Sequence, residues 1–93
     1  MSKKIVNAET EDGQLAGEAI IEIIENQLRD NNPKETKITL ERLMASGESR
    51  ENSMRFIASA VIVEISEIFK NGTEFNEQRY IKNLRALPKL PYD

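Results

Sequence analysis

From Ser49 to Lys70 the chain reads as one long helix that is apolar around most of its circumference and holds two glutamates inside that apolar surface. At about 100° per residue, Met54, Ile57, Ala58, Val61, Ile65, Ile68 and Phe69 share a broad face, which Phe56, Ala60 and Val63 extend sideways. Glu64 and Glu67 fall among them. Asn52, Arg55, Ser59, Ser66 and Lys70 are left to form a narrow wet stripe. A helix patterned this way belongs in the middle of a bundle or between two copies of one. Ile57, Val61, Ile65 and Ile68 are its expected centre.

The remaining punctuation supplies the helices that cover it. Met1 to Ala8 has no hydrophobic period, and a loose arm is expected over residues 1–9. Helix one runs from about Thr10 to Arg29, with Glu11 and Asp12 at the positive end of its dipole. Leu15, Ala16, Ala19, Ile20, Ile23, Ile24 and Leu28 form its buried face, opposite an acidic stripe of Glu18, Glu22 and Glu25. Asp30-Asn31-Asn32-Pro33 breaks it and opens helix two, with Asn32 as N-cap, Pro33 as first helical residue and Glu35 at capping-box spacing. Leu40, Leu43 and Met44 are the apolar side of helix two, which Ser46-Gly47 ends. Ser49 caps helix three and Asn71-Gly72 closes it. Asn76 opens helix four, with Phe75 set to pack on Tyr80 across the cap; Ile81, Leu84 and Leu87 face inward and Pro88 stops it. The expected architecture is an all-α, four-helix bundle-like domain over residues 10–88 with a long central third helix, followed by an extended tail over 89–93.

At 93 residues this is one domain that buries only about 60–65% of its unfolded surface, so a second copy would help to cover helix three. A two-fold homodimer is expected, with Phe56, Ala60 and Val63 at its interface. The net charge of −3 gives no general pull toward nucleic acid or an anionic membrane. Arg79, Lys82, Arg85 and Lys89 recur along helix four, but only Tyr80 could serve them as a stacking platform, and nucleic acid is not the expected partner. There is no run of 18 apolar residues and no signal-peptide pattern at Met1–Thr10, so a cytosolic protein is expected. The lack of cysteine agrees with that compartment.

The missing residues constrain chemistry more than the present ones. Without histidine or cysteine the chain has no imidazole base, no thiol nucleophile and no nitrogen- or sulfur-ligated zinc site. Any metal would be a hard cation on carboxylate oxygens. Two Glu-x-x-Glu motifs could supply them, Glu22 with Glu25 on helix one and Glu64 with Glu67 on helix three, each placing its carboxylates one turn apart. If they faced each other, the motifs could hold magnesium and position a water against a phosphate, an arrangement similar to that of all-helical nucleotide pyrophosphohydrolases. Here the second motif ends in glutamate instead of aspartate, and helix one turns Glu22 and Glu25 away from its isoleucines. The favoured reading is therefore a solvated acidic stripe on helix one. Glu64 and Glu67 then become ion-pair members, with Arg42, Arg79 or Arg85 as partners.

Ile24-Glu25-Asn26-Gln27-Leu28, Asp30, Pro33, Glu41-Arg42-Leu43, Gly47, Phe75-Asn76-Glu77, Tyr80 and Leu84 through Pro88 together resemble a small bacterial all-helical family of unknown function. The resemblance spans about Leu15 to Pro88, on short motifs that many helices share. Relatives carry histidine pairs spaced by four on the first and third helices, which implies a metal site. Gly17 and Ile21 stand at the first pair here, and Glu51 and Arg55 at the second, so that chemistry is not carried over. The resulting expectation is a cytosolic, homodimeric interaction or scaffolding module without metal or cofactor, with room for a further protein partner. The competing class is a divalent-metal phosphohydrolase built on Glu22, Glu25, Glu64 and Glu67.

Overall fold

Four helices follow one another in the computed structural model, which describes the backbone of residues 9–92 and the side chains of residues 17–92. They are α1 (Glu9–Asp30), α2 (Lys34–Ala45), α3 (Arg50–Asn71) and α4 (Glu77–Ala86), and no strand occurs among the described residues. The long third helix is the axis of the bundle: α3 packs on all the others, and α2 also packs on both α1 and α4. No helix is long and apolar enough to cross a membrane among the described residues. The arm expected over residues 1–9 lies outside the described residues up to Ala8, as do the side chains of Leu15 and Ala16.

The helix boundaries follow from how their loose backbone groups are satisfied. At the end of α1, Asn31 takes a left-handed φ of 52°, which lets the Asn32 amide donate to the Gln27 carbonyl at 3.0 Å and the Asn31 amide to the Leu28 carbonyl at 3.3 Å. This corrects the expected start of α2. Asn32 is committed to closing α1, Pro33 takes the N-cap position without a side-chain bond, and the helix begins at Lys34. The α2 exit repeats the α1 solution, with Gly47 at φ 113° and the Glu48 amide donating to the Leu43 carbonyl at 3.2 Å. Ser49 accepts the Asn52 amide at 3.0 Å to open α3, and Gly72 at φ 66° closes it. Asn76 accepts the Arg79 amide at 3.0 Å to open α4, and Phe75 lies edge-on to Tyr80 at 5.2 Å between ring centres. At the far end of α4 the Arg42 guanidinium, reaching over from α2, donates to the Leu87 and Leu84 carbonyls at 2.8 and 3.0 Å.

These caps predict a contrast that chemical denaturation can measure. Ser49→Ala and Asn76→Ala should each destabilise by about 1 kcal/mol. Asn32→Ala should cost clearly less through capping, because the Asn32 side chain caps nothing and its backbone amide survives the change.

The core is built from Ile20 and Ile24 of α1, Leu40 and Leu43 of α2, Met54, Ile57, Ala60 and Val61 of α3, and Tyr80, Leu84 and Leu87 at α4. Several expectations need correction. In α2 the buried positions beside the leucines are Thr36 and Thr39, while Met44 is exposed. On α4, Tyr80 takes the central place and Ile81 is only half-buried. Ser59 is buried, because its hydroxyl donates back to the Phe56 carbonyl at 2.6 Å and needs no water. Ala19 is exposed on α1. The largest departure is the end of α3: Ile65 is half-buried, Ile68 is exposed, and Phe69 keeps 84% of its surface in solvent. For Ile68, on the face of Ile57 and Val61, the cause is the position of α4, which starts level with Glu64 and leaves the following turns uncovered; Phe69 lies on the outward side with Ile62.

Candidate functional site

The four glutamates of the candidate metal site lie in different environments and have different partners. Glu64 is fully buried, and its carboxylate accepts the Arg79 Nε at 2.6 Å, the Arg79 Nη2 at 3.0 Å and the Asn76 backbone amide at 2.8 Å. Burial alone would raise its pKa; the hydrogen bonds from Arg79 and Asn76 and the charge of Arg79 outweigh that and hold it below the ordinary glutamate value. Glu67 is half-buried and accepts a hydrogen bond from the Asn71 side-chain Nδ2 at 2.6 Å. Glu25 is exposed and pairs with Arg50 at 3.2 Å, and Glu22 is exposed. Among the described residues no three histidine, cysteine, aspartate or glutamate side chains are grouped so as to hold a metal ion. Of the arginines considered as partners, Arg79 takes Glu64, Arg42 caps α4, and Arg85 reaches Glu35 at 3.6 Å.

A second buried polar cluster joins three helices. Tyr80 and Thr36 both donate to the Gln27 side-chain oxygen at 2.7 Å, with 3.3 Å between their own hydroxyls. Burial raises the Tyr80 pKa, against the opposite pull of its bonds to Thr36 and Gln27. Each of these polar groups has a partner, as buried groups require. The Ser53 hydroxyl, buried in α3, has none. The sequence offered little warning of this cluster, since Gln27 and Thr36 sit at positions where helices commonly carry surface polar residues.

An open groove of about 1030 Å³ runs between α1 and α3. Ile20, Ile21, Met54, Ala58 and Ile62 form its apolar lining, and Glu18, Glu25, Arg50, Glu51 and Arg55 edge it. Two of those edges are ion pairs, Arg50–Glu25 and Arg55–Glu51, each at 3.2 Å. Such exposed pairs contribute little to stability, and they are free to rearrange when something covers them. Gly17 leaves the upper wall low: a Cβ built there meets nothing within 4 Å. Gly17, Ile21, Glu51 and Arg55 all line this one groove. Here they present a hydrogen, a hydrocarbon and an ion pair, a set that offers a cation one carboxylate already engaged by arginine.

Of the residues expected at an interface, Ala60 is fully buried within the chain and has no surface to offer. Phe56 and Val63 are half-buried, and Phe56 shares a shallow hollow with Leu90 and Tyr92 of the tail. The exposed apolar residues of α3 are on another side: Ile62, 45% exposed, lines the groove, and Phe69 lies further along the same helix. No family model matches this chain, and neither a curated protein nor a solved structure matches it.

Proposed function

We propose that this protein is a non-catalytic helical interaction module that works as a homodimer in the cytosol. The observation that carries the reading is the apolar groove between α1 and α3 together with the exposed Ile62 and Phe69 on the same helix. Apolar surface gathered on one side of a small domain is the usual mark of a protein-binding face. The chemistry around it is that of recognition: hydrocarbon in the middle, and a charged edge whose ion pairs can exchange partners. The phosphohydrolase alternative has less support, because Glu64 is taken up by Arg79 and Asn76 while Glu22 and Glu25 lie on the exposed side of α1.

The test is sedimentation equilibrium across the micromolar range. The expected mass is about twice the chain's 10.6 kDa. A single 10.6 kDa species at all concentrations would overturn the homodimer. Calorimetric titration with magnesium or manganese is expected to show no micromolar binding. Tight binding that is lost in Glu64→Gln, with nucleotide turnover, would favour the enzyme instead.

A further inference from the structure

Given an interaction module of this kind, we infer that its partner is a second copy of this chain seated antiparallel on α3, with Phe69 of each copy entering the α1–α3 groove of the other. Three observations lead to this surface. Ala58, Ile62, Ile65 and Phe69 are spaced four, three and four residues apart, which keeps them on one narrow stripe of α3. Along that stripe the exposure is uneven in a complementary way: Phe69 stands 84% exposed at one end, and the groove opens over Ala58 at the other. Ala58 and Phe69 are eleven residues apart (69 − 58), or about 16 Å along a helix axis.

A two-fold axis midway between them, at the level between Ile62 and Ile65, carries each end onto the other. Phe69 then meets the partner's Ala58, the largest side chain of the stripe against the smallest, and Ile62 meets the partner's Ile65. The knob and the hollow belong to one chain, so a single operation satisfies both and closes the assembly at two copies. Charge agrees with the same placement. Arg55 comes toward the C-terminal carbonyls of the partner's α3, the negative end of that helix dipole.

Phe69→Glu tests the surface without touching the core, because the ring is almost wholly in solvent. The expected result is a folded monomer: unchanged helical circular dichroism, with a dimer dissociation constant raised at least about 100-fold over the parent. A Phe69→Glu chain that dimerises like the parent overturns this surface and leaves the homodimer reading intact. A parent that is monomeric throughout the micromolar range overturns both. The register has its own readout, since the chain has no native cysteine. Oxidising a mixture of Ile62→Cys and Ile65→Cys chains should give mainly the mixed disulfide dimer. Equal or greater yield from either variant alone would overturn the antiparallel register.

Discussion

Ile57→Ala should cost about 2–5 kcal/mol and leave a domain of this size largely unfolded at physiological temperature. Ile57 has no exposed surface and sits in the core with Ile24, Val61 and Leu84. Removing its outer carbons loses their transfer free energy and leaves a cavity that well-packed neighbours cannot fully collapse. The comparison variant is Ile65→Ala, two turns further along and only half-buried, which should cost about half as much or less. Urea denaturation followed by circular dichroism measures both. Equal losses would mean that the end of α3 is as well covered as its centre.

Glu64→Ala is the second large effect, expected at about 3 kcal/mol. The change strips the acceptor from the Asn76 amide and from the Arg79 guanidinium together, at the point where α4 begins. The cost is set at the lower end of the range for breaking a buried pair because the Arg79 side chain is 36% exposed and can turn to water. The same residue gives a pH dependence of definite sign. The carboxyl pKa is lower in the folded chain than its ordinary value of 4.5, so the unfolded chain binds the proton more readily. Its contribution is therefore fully present above about pH 4.5 and is lost as the pH falls through the lower, folded-state value. Thermal melts of the parent and of Glu64→Gln should be furthest apart near neutrality and converge in acid. A gap of constant size down to acid pH would show that the charge of Glu64 is not what binds α4 to α3.

Most of the helical layout could be read from the chain because its signals are local. Ser49 and Asn76 cap where their side chains suggest, and Gly47 and Gly72 end helices because only a left-handed exit fits there. Asn32 misled because two ends compete for one short loop, and the α1 exit took its amide. The burial pattern along α3 was less legible. Periodicity shows which residues share a face, but not how far the neighbouring helix extends along it, and α4 turns back at Glu64. That one distance decides that Ile57 is core while Ile68, on the same face, is surface; Phe69 is exposed because it lies half a turn away from Ala60, on the side of Ile62. The pairing of Glu64 was half-legible: a carboxylate in an apolar face demands a cation, yet nothing local selects Arg79 over Arg42 or Arg85. The groove was hidden for the same reason, since it is made by the angle between two helices and not by either alone.

The Gln27–Thr36–Tyr80 cluster has a consequence for how uniquely α1 can be seated. Ile20, Ile21, Ile23, Ile24 and Leu28 give α1 an almost repetitive apolar face. Sliding it by one helical turn would lay Ile20 in the place of Ile24 and Ile24 in the place of Leu28, so part of the hydrophobic contact survives. Such a face is partly degenerate, and by itself specifies the docking of α1 only in part. The slide is penalised by polar atoms: it would carry the Gln27 oxygen about 5–6 Å away from the two hydroxyls it accepts from, and since Tyr80 and Thr36 can satisfy only one donor between themselves, one would be stranded inside the protein. One glutamine thus converts a sticky, interchangeable surface into an address. Gln27 has to stay in step with Thr36 and Tyr80 for that address to be read.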